Sequence, residues 1–307
     1  MAPIDMRLGR ELESIPGVKK AYPLLIAGGQ AKFPNGISSG VTLIGVQAPR
    51  FAGGPWNLKV GQPEALLQEG AVITDYFDRK SLGQSKVGDY FEINGRKVFI
   101  AGQTRGVRAF GAPVYTFTTI ERARALSRQS NFKASAFLVE WDRSQDSSAI
   151  IRNINQSLFG VRAWASKEFA GSTVATVLRS SGIAISFGTL ILFALISGFV
   201  IIGLTLYSST VDRIRDYGTL KAIGATQGYI RRLILTQALV FALVGFAVGY
   251  GLVTAFRLGV ANVGTLFQFQ SWMIVAFFLL TLVIAAGGTL FAIRRIARLE
   301  PASVFRL

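Results

Sequence analysis

Three long apolar stretches that carry no charge dominate the second half of this chain, at residues 180–211, 233–256 and 258–293. Each is rich in Leu, Ile, Val, Phe, Ala and Gly. A helix needs about 20 apolar residues to cross a hydrocarbon core roughly 30 Å thick, so each stretch is long enough to span. In lipid a lone segment satisfies its own backbone only as a helix. The pattern therefore predicts membrane helices near residues 182–207, 233–254 and 272–293.

The first 175 residues follow a shorter rhythm. Apolar runs at Val41–Val46, Ala71–Thr74, Val114–Phe117 and Ala136–Trp141 read as strands. Tyr90–Ile93 and Lys97–Ile100 flank Asn94-Gly95-Arg96, and Asn-Gly between apolar runs is the strongest short-range hairpin signal. Thr118, three residues before Glu121, predicts a capping box that opens a helix running through Leu126. Ile150, Ile151, Ile154 and Leu158 share one face of a helix predicted over Ser147–Leu158. The fold class that follows is an α+β domain over residues 1–175 joined to an α-helical membrane domain over residues 176–307.

A weak internal repeat links the two ends of the α+β domain. Leu8, Leu12 and Ile15 form a helical stripe followed by Gly17-Val18-Lys19-Lys20-Ala21-Tyr22; Ile151, Ile154 and Leu158 form another, followed by Gly160-Val161-Arg162-Ala163-Trp164. Each reads as a helix that stops near a glycine and passes into a strand. Two such units pair into a small α/β layer, with residues 25–130 inserted as a mostly β lobe. Ser166 then N-caps a further helix. No proline lies between it and the first span, which predicts one continuous rod from Ser166 to Tyr207.

Charge gives the spans a direction. The loop between the first two carries Arg213, Arg215, Lys221, Arg231 and Arg232, and the tail after the third carries Arg294, Arg295, Arg298 and Arg306. The loop between the second and third spans holds Arg257 alone. Short loops rich in Lys and Arg stay in the cytoplasm, so the first loop and the C-terminus are expected inside, with the Arg257 loop and residues 1–175 outside. Met1–Arg10 shows neither a signal peptide nor an apolar span, so an additional membrane helix ahead of it is expected, four spans in all. Half of the formal net charge of +16 lies in residues 1–175, where it is spread without a Lys- or Arg-rich run, which argues against nucleic acid and is compatible with attraction to anionic lipid headgroups.

The chemistry the chain lacks narrows its function. It has no cysteine and no histidine, hence no thiolate nucleophile, no Cys-based metal site and no imidazole base. Gly83-Gln84-Ser85-Lys86-Val87-Gly88 has the glycine spacing of a phosphate loop but not the Lys and hydroxyl that follow it, so no nucleotide is expected on this chain by that route. The three spans carry no intramembrane charge, which disfavours a proton path. Gly245 and Gly249 form a Gly-x-x-x-Gly pair expected to serve helix packing. The remaining distinctive segment is Asp212–Thr226, where Ile214, Tyr217, Leu220 and Ile223 make an apolar stripe among charges of both signs. Such a helix lies on a membrane surface or docks into a partner's groove.

Arg215-Asp216-Tyr217-Gly218-Thr219-Leu220-Lys221-Ala222-Ile223-Gly224-Ala225 resembles the loop signature of FtsX/MacB-type ABC transporter permeases, and Leu299-Glu300-Pro301-Ala302 resembles their closing motif. The wording of the loop, with Ile15-Pro16-Gly17-Val18-Lys19 and Gly106-Val107-Arg108-Ala109-Phe110-Gly111, is most similar to the DevC branch. The resemblance implies a non-catalytic permease of the bacterial inner membrane whose outer domain is of MacB-periplasmic-core type. It implies a separate cytoplasmic ABC ATPase that holds ATP and magnesium, with no cofactor on this chain. Arg213, Arg215, Asp216, Tyr217, Gly218, Leu220, Lys221 and Gly224 are then the expected ATPase-coupling residues. A periplasmic membrane-fusion adaptor, an outer-membrane duct, a paired permease subunit and membrane lipid are the implied partners, and export of a lipid-like or amphiphilic substrate the implied activity. Regulation of an extracytoplasmic hydrolase, as in FtsX, and lipoprotein release share this architecture.

Overall fold

The computed structural model describes residues 3–108, 113–180, 182–261 and 270–296, apart from a few helical side chains from Ser180 onward. The chain forms two compact units, one within Met1–Gly171 and another that begins at Ser172. In order, the first contains β1 (Ile4–Asp5), α1 (Leu8–Glu13), β2 (Val18–Lys32), β3 (Ser38–Val46), β4 (Leu58–Val60), β5 (Ala71–Asp75), β6 (Tyr90–Ile93), β7 (Arg96–Thr104), β8 (Val114–Thr119), α2 (Ile120–Ser127), β9 (Lys133–Ala134), β10 (Ala136–Trp141) and α3 (Ser147–Ser157). Helix α4 (Ser166–Ser180) follows, and α5 (Ile183–Asp212), α6 (Ile214–Ala222), α7 (Gln227–Ala261) and α8 (Ser271–Ile296) complete the described chain.

One eight-stranded sheet organises the α+β unit, in the order β10-β2-β3-β8-β5-β7-β4. Strand β6 pairs with both β7 and β2, which closes β2, β3, β8, β5, β7 and β6 into a six-stranded barrel. The β3–β8 and β5–β7 pairs are parallel and the other pairs of the ring antiparallel. The barrel closes on Leu25, Val41, Leu43, Val72, Ile93, Val98 and Ile100, with Ile120, Ala123 and Leu126 of α2 packed into the same core. At Gly45 a Cβ would lie 2.5 Å from the Cβ of Ala123, so only glycine lets α2 sit this close to β3. The β6–β7 hairpin turns on Asn94 (φ 49°) and Gly95 (φ 80°), the two left-handed residues that a type I′ turn demands. Asn94 also accepts from the Gln30 backbone (2.9 Å) and donates to the Leu126 carbonyl (2.9 Å), fastening the hairpin to β2 and α2.

Several expectations need correction here. The N-cap of α2 is Thr119, whose hydroxyl accepts from the Arg122 backbone at 3.4 Å. Thr118 instead lies in β8, buried, with its hydroxyl donating to the Ala71 carbonyl at 3.1 Å. A hydroxyl claimed by a neighbouring strand is not free to cap. The helices of the internal repeat do share a core: Leu12, Ile15, Ala21, Ile150 and Ile154 cluster together. Its second strand does not form, because residues 161–165 have no regular structure. The strand that lies beside Val18–Leu24 is β10, antiparallel, with Leu138 opposite Tyr22. The 15 residues of β2 tie this layer to the β lobe, pairing with β10 at one end and entering the barrel at the other. The rod from Ser166 to Tyr207 is broken: α4 ends at Ser180 and α5 starts after Gly182, whose φ of 65° is left-handed. Proline is not the only helix breaker, and a glycine that adopts this conformation ends a helix as firmly.

In the membrane unit, three helices are long and apolar enough to span: Ala184–Ser209, Gln227–Ala261 and Ser271–Thr289. Helix α8 packs on both α5 and α7. It meets α5 where Gly288 faces Gly203, a Cβ on Gly288 falling 3.3 Å from the Gly203 nitrogen. It meets α7 through Phe246 and Phe278, edge to face at 5.1 Å. Gly245 and Gly249 take no part in this packing: nothing lies within 4 Å of a Cβ at either. The buried residues of α7 are Ile234, Ala238 and Ala242, four residues apart. Arg257, expected in a loop, lies within α7.

Candidate functional site

The segment with the loop signature is a short helix held by a breaker at each end. Arg213 closes α5 with φ −99° and ψ 13°, outside the helical range. Helix α6 begins at the next residue, and the Tyr217 N–H donates to the Arg213 carbonyl at 3.1 Å to form its first turn. At the other end Gly224 has φ 103° and the Ala225 N–H reaches back to the Leu220 carbonyl at 2.9 Å. A left-handed glycine one residue before such a six-residue return is a Schellman stop. Gly224 thus has a defined local task, to turn the chain out of α6. Thr226 then opens α7, its hydroxyl accepting from the Tyr229 N–H at 3.3 Å.

The faces of α6 are unequal. Tyr217 is buried, 7% exposed, and its hydroxyl has no hydrogen-bond partner. Leu220 is half-buried, while Arg213, Arg215 and Asp216 are exposed. Among the described residues Asp216 makes no ion pair, so these charges stand in solvent. Gly218 sits in the helix with nothing within 4 Å of a Cβ, and Thr219 bonds back to the Arg215 carbonyl at 2.8 Å. The backbone of Lys221 is in α6; its side chain, like that of Ile214, is outside the described set. The expected stripe of four apolar residues is shorter than its spacing implied. Ile223 falls in the cap after α6 and is 81% exposed.

Sequence reasoning missed a neighbouring feature. Tyr229, Arg232, Leu233, Thr236 and Gln237 line a shallow open groove on the first turns of α7. Arg232 alone had drawn notice, as one charge among several. The available signal was the 3-4 spacing Tyr229, Arg232, Leu233, Thr236, which stacks these side chains on one helix face.

In the α+β unit the segment that begins at Gly106 is tied down by carboxylates. Asp75 is fully buried; it accepts from Thr104 Oγ1 (2.9 Å) and from the backbone N–H groups of Val107 (2.8 Å) and Phe77 (2.9 Å). Asp78 pairs with Arg108 at 2.6 Å. Burial nevertheless pushes the Asp78 carboxyl above its ordinary value, outweighing the guanidinium beside it. Ala109, Phe110 and Gly111 of that segment lie outside the described residues.

Residues 188–301, which include α6, match the FtsX-like permease C-terminal domain. The chain carries an FtsX-like permease domain. The matched segment takes in the apolar helices α5, α7 and α8 in whole or in part, and the α+β unit lies ahead of it in the chain. No curated protein matches the sequence. Among solved structures, the chain is similar to the extracellular domain of the noncanonical ABC-type transporter YknZ from Gram-positive bacteria, with 17% identity and a TM-score of 0.39 over 50% of this chain and 84% of that one. It is similar to the periplasmic region of MacB from Actinobacillus actinomycetemcomitans, with 12% identity and a TM-score of 0.36 over 50% and 73%. A domain of a permease protein from Porphyromonas gingivalis gives 12% identity and a TM-score of 0.38 over 51% and 76%.

Proposed function

We propose that this FtsX-like chain is the membrane half of a DevC-like export machine and that α6 is where its motor takes hold. A separate cytoplasmic ATPase binds ATP and magnesium, closes on nucleotide and pushes α6. This chain binds neither. Two permease subunits work as a pair, the α+β unit on the outer side engages a periplasmic adaptor and an outer-membrane duct, and the cargo is lipid-like or amphiphilic. The C-terminus and α6 face the cytoplasm, as the Arg- and Lys-rich loops require.

The observation that carries this reading is α6 itself: a nine-residue helix, stopped at both ends, lying inside the matched domain. It shows Arg213, Arg215 and Asp216 to solvent and turns Tyr217 inward. An exposed charged face recognises a protein partner, while the buried tyrosine passes displacement to what lies beneath. A rigid short helix transmits a push better than a loop of the same length would.

The test uses the full chain with its ATPase, reconstituted in nanodiscs. Gly218→Pro removes a backbone donor inside α6 and clashes with the preceding turn; Tyr217→Asp places a charge where a ring is buried. Both variants should insert normally yet lose at least about tenfold of the stimulated ATPase rate, a drop of roughly 1.4 kcal/mol in coupling. Pull-down of the ATPase should weaken in parallel. Unchanged stimulation in both variants removes α6 from the mechanism.

A further inference from the structure

Inside the barrel, three polar side chains stand in one row across adjacent strands. Thr116 of β8 lies opposite Thr74 of β5, and Thr74 is in register with Gln103 of β7. Leu43, the β3 partner of Thr116, belongs to the barrel core, as do Val72 and Val114, two residues along from Thr74 and Thr116. Cross-strand neighbours point to the same face and residues two apart share it, so all three polar side chains point into the barrel. Thr74 and Thr116 are 0% exposed and Gln103 5%. Thr74 Oγ1, Thr116 Oγ1 and Gln103 Nε2 have no hydrogen-bond partner in the protein. The contrast with Thr118 is informative, since that buried hydroxyl on the same strand donates to the Ala71 carbonyl.

Buried polar atoms are almost always satisfied, by protein or by ordered water. Three orphans on one row, in a closed interior, define a single ligand rather than three separate faults. We infer that the barrel holds one bound water among Thr74, Thr116 and Gln103, accepting from the Gln103 amide and exchanging hydrogen bonds with the two hydroxyls. Water supplies both donors and acceptors and needs two to four partners, which this row provides. A halide could also use three donors, but no charged side chain stands in the row to compensate it and an unpaired buried ion is far costlier than a neutral molecule.

Water and orphaned atoms predict opposite signs for one substitution. With water bound, Thr74→Val removes one of its anchors and strands the others, so thermal unfolding of the α+β unit, followed by tryptophan fluorescence in the full chain, should fall by about 2–4 °C. Thr116→Val should do the same, and the triple variant Thr74→Val/Gln103→Leu/Thr116→Val should recover most of the loss, since the site and its ligand vanish together. A rise in melting temperature in either single variant overturns the proposal, because deleting a dry orphan is favourable. Exchange of chloride for acetate should leave the wild type unmoved; a chloride-dependent melting point lost in Thr74→Val would identify an anion and overturn the water. Should the variants not fold, a high-resolution map of the wild-type chain in nanodiscs decides directly. One density at roughly 2.7–3.2 Å from all three polar atoms is expected. A row without density, where water is resolved elsewhere at equal depth, overturns it.

Discussion

Arg122 shows how much structure one side chain can gather. Its guanidinium donates to the carbonyls of Leu66 (3.0 Å), Ala71 (2.7 Å) and Gln68 (2.7 Å) and to Thr118 Oγ1 (3.2 Å), joining the turn before β5 to the start of α2. Partial burial draws its pKa below the usual arginine value. Arg122→Met keeps the aliphatic stem but removes the guanidinium's bonds to all three carbonyls, and should cost the unit about 2–3 kcal/mol in chemical denaturation. Asp78 makes a prediction of a different kind. Its carboxyl is raised above the ordinary 3.8, so the folded protein holds that proton to higher pH than the unfolded chain does. The stability this contributes is complete below the unfolded value and is lost as pH rises through the folded one. The melting temperature of the wild type relative to Asp78→Asn should therefore improve as pH is lowered from 7 toward the carboxylate range. A gap that is flat or narrows on acidification would refute the assignment. Neither residue was singled out from sequence. An arginine's value here comes from carbonyls more than 50 positions away, and only the fold brings them to it.

At the scale of elements, local signals and packing signals diverge. The β6–β7 hairpin is encoded in four adjacent residues, and its Asn94-Gly95 turn is where spacing puts it. Helix α6 likewise ends where Gly224 can turn left-handed. The choice between Thr118 and Thr119 as cap was not local, because β8 takes up the first. The glycines of the membrane helices make the same point. Gly245 and Gly249 carry the recognisable spacing, yet the close approach of α5 and α8 uses Gly203 and Gly288. Substituting both kinds separates them. Gly288→Val must push α5 away from backbone it nearly touches, and should destabilise the purified protein in detergent by about 1–3 kcal/mol. Gly245→Ala meets open space and gains helix propensity, so its melting temperature should be unchanged or higher. Equal losses in the two variants would mean that another helix covers Gly245.

For the whole molecule, the natural absence of cysteine is an experimental convenience. Single cysteines can be introduced without first removing any. At exposed Arg215 of α6 a cysteine should react with a membrane-impermeant maleimide only after the inner membrane is opened, whereas one at Phe159, 93% exposed in the α+β unit, should react in cells with only the outer envelope permeabilised. Labelling of position 215 from outside would place α6 out of reach of any cytoplasmic motor and end the coupling proposal.

What the sequence determined alone was set by solvent and by neighbours along the chain. Lipid tolerates a lone segment only as a helix, so charge-free stretches of this length announce α5, α7 and α8 without knowledge of what they pack against. A hairpin turn or a helix stop likewise depends on a few consecutive residues. Tertiary structure decided the closure of six strands into a barrel, the pairing of β2 with β10 in place of residues 161–164, and the polar row sealed inside. Those choices compare the free energies of contacts between distant segments, where many pairings suit any one strand and only the assembled core selects among them.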